Sequence, residues 1–129
     1  MARPGRQTGE PADPAEASPL DVAISATARE TMAMVREALR RKDVMLAFQP
    51  VIQTARPDRP AFYEGFIRVL DEAGRVIPAR DFMGTVETSE LGRIIDCLSL
   101  EMGLQALERQ PKLRMAINMS ARSIAYPNW

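Results

Sequence analysis

The sequence predicts a single α/β domain whose elements follow in the order strand, strand, helix, helix, strand. Two stretches, residues 44–53 and 62–70, are rich in β-branched and aromatic residues and predict neighbouring strands. A third such stretch, residues 113–119, follows two helical segments. Because a strand reached through a helical crossover pairs in parallel, we expect the second and third strands to be parallel.

The N-terminal region predicts a tail followed by a helix. Residues 1–20 are rich in Pro, Gly, Ala and small polar residues and are predicted to be a disordered tail or linker. The domain then occupies residues 21–129. Its first helix, over residues 21–42, carries an apolar stripe and ends in a basic run that suits a helix C-terminus. The stripe consists of Ala28, Met32, Val35 and Leu39.

The first strand, residues 44–53, is a near-continuous apolar run, which predicts burial on both faces. Pro50 lies inside it and cannot donate to a sheet ladder, so we expect an irregularity or a strand end there. The Pro-flanked stretch 56–60 is predicted to be a loop, and residues 71–74 a turn.

The second strand alternates between two chemically different faces. Phe62, Glu64, Phe66, Arg68 and Leu70 share one face, because side chains on a strand repeat every two residues. The opposite face, made of Tyr63, Gly65, Ile67 and Val69, is apolar and predicts a core surface.

Two helices are predicted between the second and third strands. Pro78 opens a short helix that continues through Val86, and Ser89 is a plausible N-cap for a longer one ending near Gln110, before Pro111. The apolar face of the longer helix consists of Leu91, Ile94, Ile95, Leu98, Met102 and Leu107.

Composition excludes several classes of protein. The 17 basic and 17 acidic residues balance, which gives no reason to expect a nucleic-acid polymer or a membrane surface as partner. The chain has no histidine and a single cysteine, Cys97, so His-based triads and cysteine zinc clusters are excluded. We expect Cys97 to be a buried structural thiol and the setting to be cytoplasmic. No apolar run is long enough to predict a membrane span.

Polar residues on the predicted strands form a candidate site. Glu64 and Asn118 lie on strands that we expect to pair, and their oxygen atoms suit Mg²⁺ or Mn²⁺. Arg68 shares the face of Glu64 and could bind a phosphate through its planar guanidinium. A metal beside an arginine is suited to phosphate-ester hydrolysis. Structural roles for all three residues, including an incidental Glu64–Arg68 ion pair, remain the alternative.

Several motifs resemble the EAL family of bacterial cyclic di-GMP phosphodiesterases. The run Leu-Ala-Phe-Gln-Pro-Val-Ile at residues 46–52 resembles that family's "YYQPIV" strand, and Glu-Gly-Phe-Ile-Arg at residues 64–68 resembles its "EALLR" signature. Residues 74–82, 86–91 and 117–127 are similar to its "G.I.P..F", "AEETGLI" and "VNLS……P" motifs. The matches run in order from about residue 40 to residue 129.

The resemblance implies the first half of a TIM-like (β/α) barrel that hydrolyses cyclic di-GMP to the linear dinucleotide with Mg²⁺ or Mn²⁺. By motif, Glu64 and Asn118 would be metal ligands, Arg68 would contact the substrate phosphate, and Gln49 would face the nucleotide. Active sites of such barrels lie at the C-terminal ends of the strands.

Two departures from the family pattern shape the expected function. The signature has Gly65 and Phe66 where the family has Ala and Leu, a change that is common in members that bind without cleaving. A closed barrel of this type takes about 250 residues, and the family's remaining acidic ligands, lysine and general base have no counterpart here. We therefore assign no catalytic residue and expect the chain alone to be inactive.

Two alternatives stay open. An incomplete barrel would expose strand edges and an apolar face, so the chain could be a non-catalytic module that acts through protein contacts or forms a homo-oligomer. It could also be an unrelated α/β fragment, which would hold if the Glu64 and Asn118 strands were not adjacent.

Overall fold

The computed structural model of the chain describes residues 18–129, so the prediction of a tail over residues 1–20 falls almost wholly outside the described residues. The elements are α1 (Pro19–Arg41), β1 (Val44–Gln53), β2 (Arg56–Val69), α2 (Met83–Val86), α3 (Glu90–Arg109) and β3 (Met115–Ile117). Short 3₁₀ helices at Ala79–Asp81 and Ala121–Ser123 precede α2 and follow β3. The predicted α/β order is confirmed.

Helix α1 begins two residues earlier than the pattern predicted. Ser18 caps it, because its hydroxyl oxygen accepts from the backbone N–H of Asp21 at 3.2 Å while the Asp21 carboxylate accepts from the backbone N–H of Ser18 at 3.3 Å. Lys42 ends the helix in the left-handed conformation, with φ of 57°. Only the C-terminal half of the predicted stripe is buried, at Val35 and Leu39.

The strands form a three-stranded sheet in the order β1-β2-β3. β1 pairs with β2 in antiparallel, and β2 pairs with β3 in parallel, which confirms the expected parallel pair. The loop predicted at residues 56–60 is wrong: Arg56 and Pro60 pair with β1, and the hairpin turn lies at residues 54–55. Prolines are tolerated there because β3 pairs with β2 only at Tyr63–Gly65, which leaves one side of this part of β2 without a described partner strand.

The predicted burial of β1 on both faces is also wrong. Met45, Phe48 and Ile52 are 45%, 43% and 44% exposed. The reason is position: β1 is an edge strand of the described sheet, and an apolar sequence does not by itself supply the layers that would cover it. The irregularity or strand end predicted at Pro50 is wrong as well, because Pro50 pairs in register with Tyr63, and the register shifts only further along, on either side of Ile52.

The core lies between the sheet and the helices. Its buried apolar residues come from α1, β2, the segment after β2, α2 and α3: Val35, Ala38, Leu39, Val69, Ile77, Phe82, Val86, Ile95 and Leu98. The helix predicted from Pro78 is divided in two, a 3₁₀ turn and α2. Helix α3 packs so closely against α2 that a Cβ atom added to Gly92 would lie 2.6 Å from the carbonyl oxygen of Val86.

Two details of the third strand and its preceding helix differ from expectation. β3 is shorter than predicted, with Met115–Ile117 as its paired residues. Ser89 occupies the N-cap position of α3, but its hydroxyl donates to the carbonyl oxygen of Val86 at 2.9 Å and makes no capping hydrogen bond. Within residues 18–129, no helix has the length and apolar character that crossing a membrane requires.

Candidate functional site

The buried residues of β2 lie on the face that the alternation predicted to be apolar, where Tyr63 and Ile67 are half-buried. Gly65 and Val69 are buried, and they lie on the face that packs against the core. On the other face, Glu64, Phe66 and Arg68 are half-buried. We call this second face, with Gln49 of β1 and Asn118 after β3, the polar face of the sheet.

Glu64 and Asn118 are in direct contact. The side-chain amide of Asn118 donates to Oε1 of Glu64 at 2.9 Å, across 54 residues of sequence. The contact follows from the parallel register, in which Glu64 lies beside Ala116, so that Asn118 is one side-chain step further along the same face. The structure therefore brings together the two residues that the sequence assigned to one site.

Gln49 lies in the same row of side chains. It is the direct cross-strand partner of Glu64 in the antiparallel pair, and such partners point to the same face of the sheet. Gln49 is exposed. The polar face therefore carries the Gln49 amide on β1, the Glu64 carboxylate on β2 and the Asn118 amide just after β3.

Arg68 does not pair with Glu64. Its guanidinium carbon lies 5.8 Å from the centroid of the Phe66 ring, a cation–π distance. Within residues 18–129 it makes no ion pair with a carboxylate. This arrangement speaks against the incidental ion pair and leaves the guanidinium able to bind an anion.

The polar face offers too few ligands to hold a divalent metal by itself. Glu64 and Asn118 supply two oxygen donors, whereas Mg²⁺ takes about six in octahedral geometry. In the described part of the chain, no group of three or more His, Cys, Asp or Glu residues comes close enough together to hold a metal ion. The residues present therefore do not form a complete metal site.

Sequence reasoning missed a cluster of buried polar residues behind this face. Arg93, Asp96 and Ser123 join α3 to the segment after β3: Nε of Arg93 donates to Oγ of Ser123 at 2.7 Å, and that hydroxyl donates to Oδ2 of Asp96 at 2.6 Å. We call these three residues the buried polar cluster. A signal was present, because two polar residues interrupt the apolar stretch of α3 three positions apart, and Ser120 and Ser123 repeat that spacing.

Two titratable groups on this side of the molecule have altered acidity. Burial raises the pKa of the Cys97 thiol, and the neighbouring Asp96 carboxylate raises it further. Cys97 is half-buried, less enclosed than predicted. Burial also raises the pKa of Tyr126, as does the hydrogen bond from its hydroxyl to Oε1 of Glu90 at 3.2 Å.

The sequence profile of the EAL domain family matches residues 32–129, well over half of the chain. The chain therefore belongs to the EAL domain family. A comparison with curated protein sequences finds no match.

Two solved structures share this fold. One is the FimX EAL domain from Pseudomonas aeruginosa bound to c-di-GMP, with a TM-score of 0.63 and 23% identity over 76% of this chain. The other is the Xanthomonas citri FimX EAL domain in complex with c-di-GMP, with a TM-score of 0.65 and 23% identity over 83% of this chain. The chain covers only 40% and 42% of those two structures. The similarity establishes the fold.

Proposed function

We propose that the polar face binds cyclic di-GMP, with Arg68 contacting a phosphate and Gln49 facing the nucleotide. The observation that carries the proposal is the contact between Glu64 and Asn118 on the same face as Arg68, an arginine that makes no ion pair with a carboxylate in the described part of the chain. Membership of the EAL domain family supports it, as do the two FimX EAL domains of similar fold, both of which hold c-di-GMP. The proposed setting is the cytoplasm, which agrees with a lone, unpaired cysteine.

The proposed activity of the complete domain is hydrolysis of cyclic di-GMP to the linear dinucleotide with Mg²⁺ or Mn²⁺. In that domain Glu64 and Asn118 would be metal ligands. The residues described here supply those two donors and no further acidic cluster. We therefore propose that this chain on its own binds the nucleotide without cleaving it.

Titration calorimetry of the full chain with cyclic di-GMP tests the proposal. We expect Arg68→Ala to weaken binding about tenfold or more, because a hydrogen bond to a charged group contributes roughly 1.5–3 kcal/mol. The matched control is Arg36→Ala, which removes an exposed arginine of α1 that makes no ion pair within the described residues. Equal affinities for the wild type and Arg68→Ala would show that the nucleotide does not use the polar face.

The same samples, incubated with cyclic di-GMP and Mg²⁺ or Mn²⁺ and separated by chromatography, test for cleavage. We expect no linear product. Turnover that disappears in Glu64→Ala would contradict the proposal that the chain is inactive alone, and would mean that a second copy completes the site.

A non-catalytic module that self-associates is the second candidate. It is favoured by the exposed apolar side chains of β1, an edge strand of the described sheet. Light scattering across a range of protein concentrations tests it. A stable oligomer whose size does not change when metal or nucleotide is added would support this candidate over nucleotide binding.

A further inference from the structure

The segment that carries Asn118 is held by side chains of α3. After β3 the chain passes through Asn118 to Ser120 and into the 3₁₀ helix at Ala121–Ser123. The backbone N–H of Ser120 donates to Oδ2 of Asp96 at 3.0 Å, and the hydroxyl of Ser123 donates to the same oxygen at 2.6 Å. One carboxylate oxygen therefore anchors this segment at two points.

Arg93 fixes the other side of this anchor. Its Nε donates to the Ser123 hydroxyl at 2.7 Å, and its Nη2 donates to the backbone carbonyl of Glu87 at 3.2 Å. The side chains of Arg93 and Asp96 are only 9% and 14% exposed, and Ser123 is fully buried. Hydrogen bonds in such an environment hold a single geometry, because a buried polar group that loses its partner costs roughly 1–3 kcal/mol.

Asn118 itself needs such an anchor. The paired register of β2 and β3 ends at Ile117, so Asn118 is one residue beyond the last paired position. Its side chain is nevertheless aligned with Glu64 at 2.9 Å on an exposed part of the sheet. Past the end of the ladder, the next anchored residue is Ser120, which is held by Asp96.

We propose that Asp96 is a positioning residue for Asn118: by holding the backbone at Ser120, it keeps the Asn118 amide in contact with Glu64. The consequence for cyclic di-GMP binding rests on the proposed function, whereas the positioning itself does not. Residues that orient a ligating side chain in this way commonly change affinity by about 10- to 100-fold when they are removed.

The positioning is tested on the free chain by NMR of the Asn118 side-chain amide. Glu64→Ala supplies the reference position of that resonance without the contact. We expect Asp96→Ala to move the Asn118 resonance toward the reference, and Asp96→Asn, which keeps an acceptor oxygen, to restore most of the wild-type position. Glu108→Gln, an exposed residue of the same helix, is the control and leaves the resonance in place. An unmoved resonance in Asp96→Ala overturns the proposal.

Where Asp96→Ala does not fold, Ser120→Pro replaces it. Proline fits the backbone of Ser120, whose φ is −70°, and removes the N–H that donates to Asp96. We expect it to move the Asn118 resonance toward the reference. A folded Ser120→Pro variant with the wild-type resonance overturns the proposal.

A double-mutant cycle on cyclic di-GMP affinity separates positioning from general stability. We expect Asp96→Ala to weaken binding about tenfold in the wild-type background and to add nothing in an Asn118→Ala background. Equal losses in both backgrounds would show that Asp96 acts on the fold and not through Asn118. Absence of binding by the wild type would count against the proposed function alone, because the NMR measurement still decides the positioning.

Discussion

The two faces of β2 are formed by alternating residues of one strand, yet they differ in what their side chains contact. On one face Gly65 and Val69 are buried against the core, and Val69 is only 1% exposed. On the other, Glu64 and Arg68 remain accessible, and Glu64 contacts a residue that is 54 positions away. The alternation of a strand is sufficient to separate the side chains that stabilise the fold from those available to bind a ligand.

The comparison implies that stability and binding respond to different substitutions. On the core face, Val69 belongs to a continuous apolar cluster that includes Phe82 and Val86, and Ile67 packs against that cluster. Residues on the polar face contact one another and solvent.

The largest expected effect comes from removing an aromatic ring on the core side. Phe82 is 4% exposed, and we expect Phe82→Ala to lower the free energy of unfolding by about 3–5 kcal/mol, because the change leaves a cavity. Phe66→Ala, on the half-buried polar face, is expected to cost about 1 kcal/mol or less. Urea denaturation measures both values. Similar costs for the two substitutions would break the division between the faces.

A smaller effect is expected where α2 meets α3. An added Cβ at Gly92 would lie 2.6 Å from the Val86 carbonyl oxygen, a backbone atom that cannot turn aside. We expect Gly92→Ala to destabilise the chain by about 1–3 kcal/mol, measured by thermal or urea unfolding. Gly84→Ala is the matched control, because nothing lies within 4 Å of its added Cβ and alanine favours a helix. A neutral Gly92→Ala would show that the helices can separate without cost.

The smallest effect concerns the turn that ends β2, where neither face is involved. Oδ1 of Asp71 accepts from the backbone N–H groups of Ala73 and Arg75, each at 2.9 Å, and Oδ2 accepts from the Arg75 guanidinium at 2.9 Å. These contacts, above all the one with the Arg75 backbone, lower the pKa of Asp71 below its ordinary value of 3.8. Because the pKa of Asp71 is lower in the folded chain than in the unfolded chain, its ionisation stabilises the fold at pH values above its ordinary pKa. That stabilisation is lost as the pH falls through the pKa of the folded state.

Asp71→Asn isolates this contribution. We expect the wild type to melt slightly higher than the variant near neutral pH, and the difference to disappear as the pH falls below about 4. Thermal melts over a pH series measure it. A difference that persists unchanged at low pH would show that ionisation of Asp71 does not contribute.

Much of the fold could be predicted because its signals are local. The alternation in residues 62–70 predicted the two faces of β2, and the apolar spacing of α1 and α3 predicted helices. The errors occurred where local pattern was a poor guide to neighbours. Residues 56–60 contain two prolines and predicted a loop, but a strand with no described partner on one side accommodates them. The apolar run of β1 predicted burial, which its edge position does not provide.

The sequence placed Glu64 and Asn118 together, but it did not predict the geometry around Arg68. The motifs around Glu64, Arg68 and Asn118 predicted the family, and the family profile over residues 32–129 confirms it. No local pattern could show that Arg68 lies over Phe66 instead of pairing with Glu64. Whether the Arg68 side chain lies over Phe66 or pairs with Glu64 depends on how the side chains pack in three dimensions.

By itself, the sequence determined the order of the elements, the faces of the strands and the family, because each follows from the spacing of residues within one short stretch. Only the tertiary structure decided that Asn118 meets Glu64 and that Arg93, Asp96 and Ser123 form a buried polar cluster. These contacts join residues that are 27 to 54 positions apart. Such contacts depend on how the helical crossover sets β3 beside β2, which no short stretch of sequence specifies.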